Sequence, residues 1–313
     1  MTEGALEGGE EALSTSAGGG EVRLPNPTTK ADWVRQYGRS LVAGRRHRGL
    51  VADVECFCFF VGYPRSGHSL VGSLLNAHRE ILIAHELDAV GHVQHHFGRA
   101  QLYGLLVERD RLFAEMGRHW TGYDYVVPHQ FQGRSEKLRV IGDKRGLMAT
   151  TRLGEDPTLL DRVRRVVGVP VRVVHITRNP YDNVATMARR TAAGRERRGE
   201  QTRPGSAGDV SEAIDRYAQM CRWVDLIRPR LAPGELYDQA YEDFLARPRD
   251  SLAALCRFLG VEADPGYLDD CAGVLWPEVR RTRDSVEWTA GERARVQELI
   301  GAYPVLGDYS WDR

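Results

Sequence analysis

The stretch Phe59-Phe60-Val61-Gly62-Tyr63-Pro64-Arg65-Ser66-Gly67-His68-Ser69 limits this chain's options more than any other. An apolar run beginning at Cys56 stops in a glycine-bounded loop, and the loop opens into a segment with helical spacing. Leu70, Val71, Leu74, Leu75 and His78 recur at three- and four-residue steps, which predicts an amphipathic helix from about Ser66 to Ala77. Strand, tight loop and helix N-terminus in that order aim unpaired N–H groups and the positive end of the helix dipole at one point. The occupant this predicts is a phosphate.

Gly62 and Gly67 are spaced as in a Walker loop, and Ser69 falls where that motif has its Ser or Thr. Position 68, where the motif puts a lysine on the β- and γ-phosphates, is histidine, and the fixed cation comes earlier, at Arg65. The anion cradle is kept and the NTPase signature is lost. The competing enzyme reading is a P-loop kinase or NTPase with a degenerate Walker loop. The competing binding reading is a non-catalytic nucleotide-binding protein, and the bland one is a Gly/Pro turn before an ordinary helix.

Residues 1–28 are rich in Gly, Ser and Glu, with no basic residue before Arg23. They predict a disordered tail and neither a secretory nor a transit signal. Residues 29–313 are expected to form a single domain, with enough chain for one α/β core. The 43 basic and 43 acidic residues cancel, so no nucleic-acid partner is expected. The run from Cys56 to Val61 is too short to span a bilayer. Five cysteines with no C-x-x-C pair read as buried thiols in a reducing cytoplasm.

Further strands are expected at Glu80 to Ala84, Leu138 to Ile141 and Val171 to Ile176. Helices are expected around Trp33 to Val42, Leu102 to Met116, Leu252 to Leu259 and Val296 to Ile300. Another should follow Asp209-x-x-Glu212, read as a capping box. Strands alternating with helices imply an α/β fold, its central, mostly parallel sheet covered by helices on both faces. The arginines scattered among Gly, Glu and Thr over 190–208 predict a mobile loop beside the site.

A second constellation begins where the run Val173-Val174-His175-Ile176 ends at Thr177. Pro180 sits well as a first helical residue, and Arg178 and Thr186 bracket the turn. An arginine there offers a planar fork of donors to a phosphate, or caps a neighbouring carboxylate. At this point a family resemblance emerges. Tyr63-Pro64-Arg65-Ser66-Gly67-His68-Ser69 resembles the 5′-phosphosulfate loop of sulfotransferases that use 3′-phosphoadenosine 5′-phosphosulfate (PAPS), where Pro-Lys/Arg-Ser-Gly-Thr-Thr is common. His68 replaces the first threonine. Arg178-Asn179-Pro180, with Thr186 eight residues on, resembles that family's 3′-phosphate motif. Tyr241-Glu242-Asp243 resembles its Tyr-Glu-Asp segment, and Arg280 to Trp288 is similar to the basic segment that closes over the 3′-phosphate.

The resemblance implies a P-loop-like three-layer fold and a set of roles. Arg65, Ser66, Gly67, His68 and Ser69 would hold the phosphosulfate, Arg178 and Thr186 the 3′-phosphate, with Arg281 and Arg283 beside them, and Tyr241 would lie near the adenine. Glu86 lies 21 residues after Arg65, just past a strand end, where open α/β sheets keep their sites. Tyrosylprotein and several bacterial sulfotransferases have a catalytic glutamate at this distance, which implies Glu86 as general base. His85 competes, imidazole having the better unperturbed pKa. Lys144, in Asp143-Lys144-Arg145-Gly146, resembles an Asp-Lys-x-Pro segment that has lost its proline. It would flank the sulfuryl group with Arg65 and offset developing charge.

The reaction so implied is sulfuryl transfer from PAPS to a hydroxyl or amine of a small-molecule, carbohydrate or lipid acceptor in the cytoplasm. It releases 3′-phosphoadenosine 5′-phosphate (PAP) and needs no metal. His85, His92, His95 and His96 are close in sequence but form no His-Glu-x-x-His, since position 89 is Ala89. Neither the acceptor nor the oligomeric state is legible.

Overall fold

The computed structural model describes residues 26–120, 122–135, 137–197, 207–275 and 279–312. Most of the tail expected over 1–28 lies outside these residues, as does the centre of the loop expected over 190–208. The described flanks of that loop, 190–197 and 207–208, are helical.

The strands are β1 (Cys56–Gly62), β2 (Ile81–Ala84), β3 (His119–Trp120), β4 (Tyr123–Asp124), β5 (Val140–Asp143), β6 (Val171–Thr177) and β7 (Leu236–Ala240). The first six helices are α1 (Lys30–Arg46), α2 (His68–Leu75), α3 (Ala89–Gln94), α4 (Arg99–Glu115), α5 (Gly146–Glu155) and α6 (Leu159–Val167). The others are α7 (Pro180–Arg197), α8 (Ala207–Ile227), α9 (Tyr241–Ala246), α10 (Pro248–Leu259), α11 (Pro265–Gly273) and α12 (Ala290–Ala302). Five strands form one sheet in the order β2-β5-β1-β6-β7, with every pairing parallel. β3 and β4 make a small antiparallel hairpin.

Parallel strands covered on both faces must send alternate residues to two cores, and these do. Phe57, Phe59, Val61, Leu82, Ile141, Val171 and Val173 pack with Leu102 and Leu106 of α4 and Leu160 and Val163 of α6. Cys56, Cys58, Phe60, Ile81, Ile83, Val140, Val174 and Ile176 pack with Leu74 of α2 and Leu252, Leu255 and Leu259 of α10. The architecture is the expected three-layer α/β one. β1 lies between β5 and β6, so the chain leaves it toward one edge for β2 and later crosses to the other for β7. That reversal opens a crevice at the carboxyl end of β1.

Three elements differ from expectation for physical reasons. β5 runs two residues further than its apolar stretch, because Gly142 lies against the Cys58 carbonyl, where a Cβ has no room. The extension brings Asp143 to the strand's last position. β7, Leu-Tyr-Asp-Gln-Ala, is a polar edge strand with no apolar alternation to betray it. Asp209 and Glu212 do not cap α8; both lie inside it and bind Arg195 of α7, at 2.6 Å each.

Candidate active site

Every strand of the large sheet delivers one of the anticipated groups at its carboxyl end. The glycine loop follows β1, Glu86 follows β2, Lys144 follows β5, Arg178 follows β6 and Tyr241 follows β7. Residues scattered over most of the chain are thereby gathered along one rim.

The loop after β1 is shaped by positive φ values. Gly62 (φ 123°) leaves the strand where a Cβ would come within 2.9 Å of the His175 ring, and its amide donates to Thr150 Oγ1 at 2.7 Å. Arg65 (φ 69°) turns the chain, and the Ser66 hydroxyl closes the turn by donating to the Tyr63 carbonyl at 2.9 Å. Gly67 (φ 110°) is the N-cap of α2 and supplies no side-chain acceptor, so the first amides of the helix remain for a ligand. The Tyr241 ring lies directly over Gly67, where a Cβ would overlap it.

His68, anticipated beside the phosphate, turns its ring inward instead. Nε2 lies 3.1 Å from the Val61 carbonyl and the ring meets Phe60 edge-on. A carbonyl only accepts, so Nε2 carries the proton. Burial, reinforced by Lys144, brings the His68 pKa down to about 3 and keeps the ring neutral. Position 68 therefore offers its amide alone.

Arg178 is nearly buried at the other end of the crevice. Nη1 donates to the Arg65 carbonyl and Thr186 Oγ1, both at 3.4 Å; Nη2 donates to the Arg280 carbonyl at 3.0 Å and Thr282 Oγ1 at 3.3 Å. Nε is buried without a partner, and the guanidinium stands 5.7 Å from the Tyr241 ring centroid. These contacts are long for a charged donor, so the guanidinium is positioned but unsaturated. Asn183 Nδ2 donates to the Pro64 carbonyl at 2.7 Å and fastens α7 to the glycine loop. The two halves of the site, 113 residues apart at Arg65 and Arg178, thus touch.

The C-terminal basic segment sorts differently from expectation. Arg283 is buried on Asp182 (Nη2–Oδ2 2.7 Å, Nε–Oδ1 3.0 Å) and anchors the start of α7. Arg281 donates to the Trp311 and Asp312 carbonyls at 3.3 and 3.1 Å, holding the C-terminal segment. The members that face the crevice are Thr282, bonded to Thr186 Oγ1 at 3.0 Å, and Arg280, whose charge is felt at Tyr241. Sequence reasoning missed both, since nothing in Arg-Arg-Thr-Arg marks which residue faces inward.

On the other side of the loop from Arg178 sit Lys144, after β5, and Glu86, after β2. Lys144 Nζ donates to Glu86 Oε1 and, at 2.6 Å, to Ser69 Oγ, so one ammonium joins the glycine loop to the carboxylate. Burial works against ionisation of Glu86, but the Lys144 charge, with His85 and the Lys144 hydrogen bond, outweighs it and holds the carboxyl well below its usual range. Glu86 has φ 57°, a strained value for a non-glycine residue. The turn is clamped around it: Asp143 Oδ1 and Oδ2 accept from the amides of Leu87 (3.0 Å) and Ala89 (2.8 Å), and Asn26 Nδ2 donates to the Glu86 carbonyl at 3.0 Å. Burial, opposed by those amides, pushes Asp143 up to about 6.

His85 points the other way, stacked on Phe113 with ring centroids 3.9 Å apart and edge-on to Trp120. Burial and Lys144 hold its pKa well below the ordinary value. His92 Nδ1 lies 2.9 Å from the Asp88 carbonyl and His95 stacks on Trp33. Among the described residues no three His, Cys, Asp or Glu side chains converge on a metal position. A cavity of about 360 Å³ opens nearby, between Thr177, Glu242, Arg281 and Tyr309, but Arg65, Glu86, Lys144 and Arg178 are not among its walls. All five cysteines are free and buried, and no helix among the described residues is long and apolar enough to cross a membrane.

A model described as the sulfotransferase family matches residues 58–265, which hold the loop, Glu86, Lys144, Arg178 and Tyr241. Among solved structures, the chain is similar to the sulfotransferase domain of the Synechococcus PCC 7002 olefin synthase, at 17% identity over 80% of this chain and 96% of that one, with a TM-score of 0.47. It is also similar to sulfotransferase STF9 from Mycobacterium avium, at 13% identity over 90% and 85%, with a TM-score of 0.49. For mouse sulfotransferase SULT7A1, determined in complex with PAP, the values are 12% identity over 84% and 93%, with a TM-score of 0.46. No curated protein matches the chain.

Proposed function

The chain belongs to the sulfotransferase family, and on that premise we propose that it moves a sulfuryl group from PAPS to a hydroxyl or amine of a small-molecule, carbohydrate or lipid acceptor. The observation that carries this reading is the double engagement of Lys144, on Ser69 of the glycine loop and on Glu86. It sets a base beside the position where an anion held by the α2 amides would present its reacting end.

In this reading Arg65 and the amides of Ser66, Gly67, His68 and Ser69 take the 5′-phosphosulfate. Arg178, Thr186, Thr282 and Arg280 take the 3′-phosphate, and Tyr241 lies along the nucleotide between them. Without donor, Lys144 holds Glu86 ionised and weakly basic. Sulfuryl oxygens compete for Lys144, and as it turns to them the carboxylate regains basicity. The acceptor oxygen or nitrogen then attacks sulfur in line and its proton passes to Glu86. The bond from sulfur to the bridging phosphate oxygen breaks, and that oxygen leaves with the electron pair as part of PAP. Lys144 and Arg65 neutralise the charge growing there. The chemistry calls for no metal, and the free cysteines suit a cytoplasmic setting.

Glu86 is favoured over His85 because the imidazole is turned away and buried between Phe113 and Trp120, whereas Glu86 meets Lys144 beside the loop. Glu86→Gln should lower turnover of labelled PAPS, with an acceptor the parent enzyme sulfates, by roughly 10²–10⁴-fold. PAP affinity should stay within a few-fold. Undiminished turnover would remove Glu86 from the role.

A further inference from the structure

Arg65 and Arg145 each lack a carboxylate of their own among the described residues. Arg65 has the donor's phosphosulfate as its occupant; Arg145 has none. It follows Lys144 directly and takes the N-cap position of α5. It is half-buried, yet its Nε is sealed from water with no hydrogen-bond partner. The cations around it are engaged: Lys144 on Glu86, Arg118 on Asp110, Arg152 on Asp88 and Arg109 on Asn26. A sealed, unpaired guanidinium nitrogen is costly and calls for an explanation.

Its direction supplies one. Arg145 stands two helical turns before Arg152 and so shares a face of α5 with it. That face looks toward α3 and the turn carrying Glu86, since Arg152 binds Asp88 at 2.6 Å and Gln94 at 2.5 Å. The Arg145 charge accordingly acts on Glu86, Asp143 and Arg109. The charges felt at His68, on the donor side, are those of Lys144, His175 and Glu86. Arg145 thus stands near Glu86, the group that takes the acceptor's proton in the reading above.

We infer that Arg145 receives an oxyanion of the acceptor, so that the compound sulfated here carries a carboxylate or phosphate close to its reacting hydroxyl or amine. The inference rests on the sulfotransferase reading above. An anionic acceptor must approach a donor that is itself anionic, and a free guanidinium near Glu86 offsets that repulsion. The planar fork suits either group in a two-point contact. Such a contact is made alike in the ground and transition states, so it acts through KM and leaves kcat nearly unchanged.

The test is titration calorimetry on the PAP-loaded protein with 4-hydroxybenzoate, its methyl ester and 4-hydroxyphenylphosphonate. At least one anion should bind about tenfold or more tighter than the ester, and the stronger of the two identifies the group preferred. Arg145→Gln should erase the difference with PAP affinity unchanged, and Arg145→Lys should restore part of it. Equal binding of anions and ester by the parent protein overturns the inference whatever the variants do. A preference that survives Arg145→Gln also overturns it, as does a loss of PAP affinity in that variant, which would make Arg145 a donor ligand. Failure of the parent protein to bind PAP refutes the underlying reading, whereas PAP binding without an anion preference refutes this inference alone.

Discussion

Asp143 makes opposite predictions for stability and for activity over one pH window. Its carboxylate is buried and accepts from two amides of the turn that carries Glu86. Burial lifts its pKa from 3.8 to about 6. Between those values the unfolded chain has lost this proton while the folded chain keeps it, so the contribution to stability falls as pH rises. The gap corresponds to roughly 3 kcal/mol, present below pH about 4 and lost by pH about 6. Catalysis needs the other form, because a protonated carboxyl offers one oxygen as a hydroxyl and slackens its hold on Leu87 or Ala89. Turnover should therefore rise through pH 6 while Asp143's share of stability declines. Asp143→Asn has a single acceptor oxygen. It should remove this pH dependence of stability, since an amide carries no charge, lower kcat by roughly 10²-fold through displacement of Glu86 and abolish the acid limb. Chemical denaturation and kcat measured from pH 4.5 to 8 on both proteins are the assay. If the limb near pH 6 persists in Asp143→Asn, another group titrates there and the clamp argument is wrong.

Two further substitutions probe the nucleotide grip. Gly67→Ala puts a side chain at φ 110° into the Tyr241 ring; backbone strain of about 1–3 kcal/mol and a displaced ring should lower the melting temperature and weaken PAP binding together, and unchanged values for both would mean the loop is not held as described. Arg178→Ala should weaken PAP by about 3 kcal/mol, that is more than 10²-fold, yet alter binding of adenosine 5′-phosphosulfate by only a few-fold. Comparable losses for both nucleotides would deny Arg178 a 3′-phosphate role.

The sheet and the turns after β1 and β6 were legible because their signals are local. The apolar stretch of β1 ends at Gly62, and Pro180 opens α7 as anticipated. Glu86 was reachable through its distance from Arg65 and a strand end, and Lys144 through the resemblance to an Asp-Lys-x-Pro segment; both stand on the rim. What sequence alone did not disclose depends on side chains meeting across the fold. Nothing near Asp182 announces that Arg283, 101 residues away, will be buried against it, so Arg283 read as a nucleotide ligand. His68 read as a phosphosulfate ligand because it replaces a threonine of the family's loop, yet at the first position of α2 its ring faces the core. Asp209 and Glu212 matched a capping box, but α8 had already begun at Ala207 and Arg195 claimed both carboxylates. The clamp of Asp143 on the Glu86 turn joins two strand ends adjacent only because β2 pairs with β5.

The central claim is that one donor is held at both ends at once, by the α2 amides and by Arg178. A crystal structure of the protein with PAP tests it most directly. The 5′-phosphate should lie on the amides of residues 66–69 and the 3′-phosphate on Arg178, Thr186 and Thr282, with the long contacts from Arg178 to Thr186 and Thr282 giving way to short ones to phosphate oxygen. A 3′-phosphate bound elsewhere, with Arg178 still turned to the Arg280 carbonyl and Thr282, would contradict it.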